Sequence, residues 1–103
     1  MKKLDEPNFY NDPRRQSWFL RQHFEHKGRR LRFIIERNAY DSQNSAVVQI
    51  QDANTLGWLG LGSIPNPQIQ ATGSYVLKEL SVNDRSNFLR DLAALQKIAE
   101  MLI

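Results

Sequence analysis

The sequence predicts a single α+β domain in which an N-terminal helix, an antiparallel sheet of three to four strands and a long C-terminal amphipathic helix follow one another as α-β-β-β-β-α. Two observations lead to this prediction. Apolar and polar residues alternate between Gly28 and Asp52, and a wide apolar stripe with helical spacing lies near the C-terminus. The domain covers residues 1–103, and its first segment, 1–12, is expected to be an extended, partly flexible lead-in.

The N-terminal helix is predicted to run from about Pro13 to His26. Asp12 is suited to accept hydrogen bonds from the first free backbone N–H groups, and proline is well tolerated at the first helical position. Gly28 is expected to end the helix in a left-handed conformation. The apolar side chains that would pack this helix on the sheet are Trp18, Phe19, Leu20 and Phe24.

A β-hairpin is predicted between Gly28 and Asp52, because apolar residues occur at every second position on both sides of a polar turn. The apolar residues that would form its buried face are Leu31, Phe33, Ile35, Ala46, Val48 and Ile50. The opposite face mixes cations, amides and aliphatic side chains, which fit either a solvated sheet face or a contact with a partner. Its polar members are Arg30, Arg32, Gln49 and Gln51.

A third strand is predicted over residues 56–63, bent or bulged at its three glycines. This run lacks the lysine and the following helix of a phosphate-binding loop, so it does not indicate a nucleotide site. Residues 64–73 contain two prolines and are expected to form a loop, which is followed by a fourth strand over residues 74–80.

The C-terminal helix is predicted from Val82 to Leu102, with Ser81 and Asp84 forming a capping box at its start. The residues spaced to lie on one stripe of this helix are Phe88, Leu92, Leu95, Ala99 and Leu102. Further apolar residues widen the stripe, as is typical of a helix that lies across a sheet. The surplus apolar surface leaves a homodimer open.

Composition excludes several classes of protein and site. The chain has no cysteine, which rules out disulfides and thiolate metal sites. Its N-terminus has no apolar segment of the kind found in signal peptides, and no apolar run reaches the length of a membrane span. We therefore expect a small, soluble, cytoplasmic domain without membrane partners.

No catalytic constellation, metal site or cofactor site is predicted. His23 and His26 are three residues apart with Glu25 between them, but zinc requires three or four ligands in a set geometry and the chain has no cysteine. The protein is therefore expected to be non-enzymatic. A small metal-independent ribonuclease is kept as a third alternative, because such an enzyme needs only a few basic and phenolic groups on a sheet. Its candidate groups are His23, His26, Arg30, Arg32, Tyr40 and Tyr75.

Charge is distributed unevenly along the chain, and this distribution favours a nucleic-acid partner. The formal net charge is +3, and residues 1–40 hold ten Lys and Arg against five Asp and Glu, whereas residues 41–103 hold four against six. A basic surface made by the first helix and the hairpin would bind the phosphates of DNA or RNA. The residues assigned to it are Arg14, Arg15, Arg21, Lys27, Arg29, Arg30 and Arg32, with Trp18 available for stacking on a base.

Two accounts of this basic surface remain open. On the predicted helix Arg14, Trp18 and Arg21 share a face, which would suit a single nucleic-acid strand. Trp18 could equally be a core residue with the arginines as solvated neighbours. The alternative function is a protein–protein interaction module, such as an adaptor, inhibitor or assembly factor, that recognises an acidic protein surface.

Overall fold

One antiparallel sheet and one long helix make up the part of the chain that the computed structural model describes, residues 1–38, 44–64 and 80–103. The strands are β1 (Lys2–Lys3), β2 (Asn8–Asp12), β3 (Ser17–His26), β4 (Arg29–Asn38), β5 (Ser45–Gln51) and β6 (Trp58–Ser63), and the helix is α1 (Val82–Leu102). The strand order is β1-β3-β4-β5-β6. Since β4 pairs with β3 along its whole length, β1 and β2 lie end to end on the other edge of β3.

The predicted N-terminal helix is wrong, and so is the α-β-β-β-β-α order that depended on it. The signals at Asp12 and Pro13 start a tight turn between β2 and β3 instead. Oδ1 of Asp12 accepts hydrogen bonds from the backbone N–H groups of Arg14 and Arg15 at 3.1 and 3.4 Å. Gln16 closes the turn with a positive φ of 55° and a 3.2 Å hydrogen bond to the carbonyl of Pro13. The same side-chain acceptor serves helix caps and turns alike.

The residues assigned to that helix form β3, whose side chains alternate between the two faces of the sheet. Leu20 and Phe24 are buried in the core, whereas Arg21 and His23 are only partly buried. Gly28 does adopt the expected left-handed conformation, with φ of 74°, but Lys27 beside it has φ of 51°. Two successive positive φ values are typical of a two-residue hairpin turn, which here joins β3 to β4.

The sheet is also larger than the three to four strands predicted. Residues 1–12, expected to be an extended lead-in, supply β1 and β2. Phe9 of β2 lies opposite Leu20 of β3, and its ring makes an edge contact with Phe88 of α1 at 5.7 Å. The lead-in thus takes part in both the sheet and the core.

The core lies between α1 and one face of the sheet, where α1 crosses β4, β5 and β6. The predicted buried face of the β4–β5 hairpin is confirmed, since Leu31, Phe33 and Ile35 have no exposed surface. The other buried apolar residues of the cluster are Leu20, Phe24, Ala46, Val48, Leu80, Phe88, Leu92, Leu95 and Ala99.

Helix α1 has the predicted bounds, and its capping box is confirmed. The backbone N–H of Asp84 donates to Oγ of Ser81 at 3.0 Å, and Ser81 N–H donates to the Asp84 carboxylate at 3.3 Å. That carboxylate also forms an ion pair with the buried Arg37 of β4 at 3.1 Å. Because Asp84 bonds to both the helix start and a strand, it fixes the first turn of α1 on the sheet.

Strand β6 confirms the strand predicted near residues 56–63, and its irregularity lies where β5 shifts register between Val48 and Gln49. The predicted fourth strand over 74–80 and most of the predicted loop over 64–73 lie outside the described residues. No helix in the described part of the chain is both long and apolar enough to cross a membrane.

Candidate nucleic-acid interface

The face of the sheet turned away from α1, called here the outer face, brings together cations and aromatic rings from four strands. Its members follow from strand register, because side chains on paired residues point to the same face. The register pairs Tyr10 with Phe19, His23 with Arg32, Arg32 with Gln49, and Gln51 with Trp58. The residues that define the outer face are Tyr10, Phe19, Arg21, His23, Arg32, Gln49 and Trp58.

Arg21 is held against an aromatic pair at one side of the outer face. Its guanidinium carbon lies 5.4 Å from the ring centroid of Tyr10, and its Nη2 donates a hydrogen bond to the Tyr10 hydroxyl at 3.2 Å. Tyr10 in turn stacks on Phe19, with ring centroids 5.0 Å apart and planes 9° from parallel. Nε of Arg21 is buried and has no hydrogen-bond partner among the described residues. The tyrosine thus orients the guanidinium while leaving donor groups unused.

Arg32 is held in a similar way by a tryptophan and an amide. Its guanidinium carbon lies 4.4 Å from the ring centroid of Trp58, well within the range of a cation–π contact. Its Nε donates to Oε1 of Gln49 at 2.8 Å. These two contacts fix the plane of the guanidinium and leave its terminal nitrogens without a hydrogen bond to any described residue.

Arg21 lies close enough to Arg32 for its positive charge to act on the pKa of Arg32. Arg21 is opposite Ile34 and Arg32 is opposite His23, so the arginines are diagonal neighbours on β3 and β4. Burial lowers the pKa of Arg32, and the positive charge of Arg21 lowers this pKa further. Within the described ranges, neither arginine has a carboxylate ion-pair partner. Paired cations that lack counter-ions and are partly removed from water are suited to bind an anion.

His23 lies between this arginine pair and the N-terminal segment. Its Nδ1 is 2.7 Å from Oδ2 of Asp5, and its backbone N–H donates to Oδ1 of Asp5 at 2.7 Å. Its ring is 5.8 Å from that of Trp58. Burial acts to raise the pKa of Asp5, but the hydrogen bonds from His23 and the charges of His23 and Arg30 outweigh it and lower the pKa overall. Asp5 therefore already has a partner in His23.

The predicted binding residues are only partly brought together. Arg21 and Arg32 lie on the outer face, and Arg30 is exposed on the same face opposite Glu25. Arg15 forms an ion pair with the buried Glu36 at 3.1 Å, and this contact raises the pKa of Arg15. Arg15 is thus occupied by a structural contact.

The remaining predicted residues lie elsewhere. Arg14 is exposed in the turn before β3. Lys27 donates to the backbone carbonyl of Ile103 at 2.9 Å, and Arg29 donates to the carbonyl of Gln51 at 3.4 Å. Trp18 packs against the core on the side of α1, so it does not share a face with Arg21 as a helix would have required.

Sequence reasoning placed Gln49 on the same face as Arg32 but missed the two rings that orient the arginines, Tyr10 and Trp58. The signal that could have found the pattern is the alternation in residues 17–26, where Arg21 and His23 fall between the apolar Leu20 and Phe24. Read as a strand, this pattern places Arg21 on the polar face that β4 shares. The contribution of β6 depends on strand pairing, which the local sequence does not encode.

Other features of the described residues offer little chemistry. A cavity of about 420 Å³ adjoins the register shift between β5 and β6, lined by Val47, Val48, Gln49, Gly60, Leu61, Gly62 and Ser63. This lining has no acid or base for catalysis. No group of three or more histidines and carboxylates in the described ranges is arranged to hold a metal ion. Leu89, Met101 and Leu102 of α1 are exposed, and the homodimer stays a prediction.

No protein-family model, curated protein or solved structure matches this chain.

Proposed function

We propose that the protein binds nucleic acid through the outer face of its sheet, with Arg21 and Arg32 contacting backbone phosphates. The observation that carries this proposal is the pair of neighbouring guanidiniums, each held against an aromatic ring and neither paired with a described carboxylate. Guanidinium N–H groups match phosphate oxygens in geometry and charge. A phosphate would also offset the positive charge of Arg21, which adds to the effect of burial in lowering the pKa of Arg32.

The surroundings of the arginine pair favour nucleic acid over an acidic protein surface. Trp58 supplies partly exposed aromatic surface next to the cations, a combination found on sheet faces that bind nucleic-acid strands. The exposed Arg30 extends the positive surface along β4. The partner is therefore proposed to be DNA or RNA, bound without chemical change.

The test is fluorescence anisotropy with labelled single-stranded DNA, duplex DNA and RNA at about 50 and 200 mM salt, a range over which phosphate-driven binding weakens strongly. We expect Arg21→Ala and Arg32→Ala each to weaken binding by roughly tenfold and to reduce its salt dependence, because each removes one phosphate contact. Arg90→Ala is the matched control, since it removes the same charge from an exposed position on α1.

Two results would overturn the proposal. One is an equal loss of affinity in Arg90→Ala, which would show that net charge matters and the outer face does not. The other is the absence of binding to all three probes at the lower salt concentration. That second result would favour the protein–protein alternative, with an acidic protein as the partner of the same arginines.

A further inference from the structure

The indole ring of Trp58 covers one side of the Arg32 guanidinium. The guanidinium carbon lies 4.4 Å from the indole centroid, and both side chains are partly exposed. The hydrogen bond from Arg32 Nε to Gln49 prevents the guanidinium from rotating out of this position. No other aromatic ring among the described residues covers the second plane of that guanidinium. A flat group of the right chemistry could therefore extend the stack.

A nucleobase is such a group. Bases stack on aromatic side chains and on guanidinium planes, and both surfaces are combined in this pair. The neighbouring Arg21 is one diagonal step away on β3, which on a sheet is roughly 7–8 Å. This distance is comparable to the step between a base and the phosphate of an adjacent nucleotide.

We infer that the outer face takes unpaired nucleic acid, with one base extending the Trp58–Arg32 stack and a neighbouring phosphate bound at Arg21. This inference rests on the proposed function and goes further, because phosphate contacts alone do not separate single strands from duplexes. A base within a duplex is stacked on both sides, and its faces are closed to the Trp58–Arg32 pair. The partner is therefore a single strand or an unpaired loop.

The other side of the arginine pair has a different role. Tyr10 stacks on Phe19 with its ring and bonds to Arg21 with its hydroxyl, so its ring surface is already in use. Tyr10 is thus a positioning residue for phosphate binding, whereas Trp58 contributes to base binding. A site that bound phosphates by charge alone would not show this division of roles between Tyr10 and Trp58.

The experiment compares a thymidine 12-mer with an abasic 12-mer of the same length and charge, and with a duplex, by anisotropy at about 50 mM salt. For the unaltered protein we expect the thymidine strand to bind roughly tenfold more tightly than the abasic strand or the duplex. Trp58→Leu should lower affinity for the thymidine strand by a much larger factor than affinity for the abasic strand, so that the difference between the two strands is lost. Tyr10→Phe should lower both affinities by the same factor.

A second measurement guards against loss of structure in the leucine variant. Trp58→Phe keeps an aromatic ring and should retain most of the difference between the two strands. In Trp18→Phe, Trp58 is the one remaining tryptophan of the two in the chain. We expect the thymidine strand to quench its fluorescence with the same midpoint as the anisotropy titration, and the abasic strand to leave it unchanged.

The outcomes separate failure of this inference from failure of the proposed function. Equal affinity for thymidine and abasic strands, or an equal loss for both in Trp58→Leu, would overturn the inference while phosphate binding stands. In that case Trp58 would only position Arg32. Absence of binding to every strand would overturn the proposed function, and the inference with it.

Discussion

The two faces of the sheet are made by the same strands but differ in what their side chains do. On β4, Phe33 and Ile35 are completely buried beneath α1, while Arg32 and Ile34, which alternate with them, are only partly buried on the outer face. The covered face is mainly hydrocarbon, with buried polar side chains such as Gln22 and the ion-paired Arg37 among it. The outer face carries cations held against aromatic rings. Alternation along one strand thus places buried core side chains and partly exposed cations at neighbouring positions.

This separation implies that substitutions on the two faces should have different consequences. Removing hydrocarbon from the covered face loses buried apolar area and leaves a cavity. Removing a partly exposed cation from the outer face loses a contact worth much less to folding. Three predictions test this difference, and they are given in order of decreasing expected effect on stability.

Phe33→Ala should destabilise the protein by about 3–5 kcal/mol, because the ring has no exposed surface and contacts Phe24 at 5.2 Å between centroids. Arg32→Ala, at the preceding position, should cost about 1 kcal/mol or less. Urea unfolding followed by circular dichroism measures both. Similar losses for the two variants would show that the outer face is also part of the folding core.

The two glycines of β6 allow a comparison within one strand. A Cβ at Gly62 would lie 2.9 Å from Cγ2 of Ile98 and 3.4 Å from Cδ1 of Leu102, both in α1. Gly62→Ala should therefore force α1 away from the sheet and cost about 1–3 kcal/mol.

Gly60→Ala is the control for this prediction, since a Cβ at Gly60 would meet nothing within 4 Å. This change should be neutral, or should stabilise by up to about 1 kcal/mol by restricting the unfolded chain. Thermal unfolding of both variants provides the comparison. If Gly60→Ala were the more damaging change, the close approach of α1 to Gly62 would not limit packing.

Asp5→Asn should have the smallest effect, below about 1 kcal/mol, because the Asp5 carboxylate is partly exposed. Its pKa is lower in the folded protein than its ordinary value of 3.8, so the unfolded chain takes up the proton first on acidification. The stability that Asp5 contributes is thus present above about pH 4 and is lost as the pH falls through and below that value.

At about pH 5.5 the unaltered protein should therefore have a higher urea midpoint of unfolding than Asp5→Asn. At about pH 3 the two midpoints should be nearly equal. A constant difference would mean that the carboxylate charge is not what holds the N-terminal segment to His23.

Local sequence patterns predict an element correctly where the pattern is typical of only one kind of secondary structure. The β4–β5 hairpin has an apolar residue at every second position of its covered face, and the start of α1 at Ser81 carries a capping box that fits only a helix. The start of β3 was misassigned because Asp12 and Pro13 suit a helix cap and a turn equally well. Apolar side chains on both faces of β3, such as Phe19 and Leu20, then imitated a broad helical stripe.

The sequence predicts the basic residues of the candidate site, but it does not predict how they are arranged. Arg21 and Arg32 were selected because they belong to a basic segment, and the sheet does bring them together. Tyr10 and Trp58 come from β2 and β6, which are distant in sequence, and they reach the arginines only through strand pairing. Tertiary pairing decides which rings contact which cations, and no local pattern specifies it.

The order of the strands has a consequence for how the protein folds. Apart from β1 with β3, the pairs β2–β3, β3–β4, β4–β5 and β5–β6 each join strands that are neighbours in the chain. Closing a short loop costs little entropy, so we expect the two-residue turn to bring the ten residue pairs of β3 and β4 together early in folding. The sheet can therefore grow outward from that turn one hairpin at a time, with α1 docking once β4, β5 and β6 offer it a surface. Because these pairs join chain neighbours, we expect the sheet to fold faster than one of the same size built from strands that are distant in sequence.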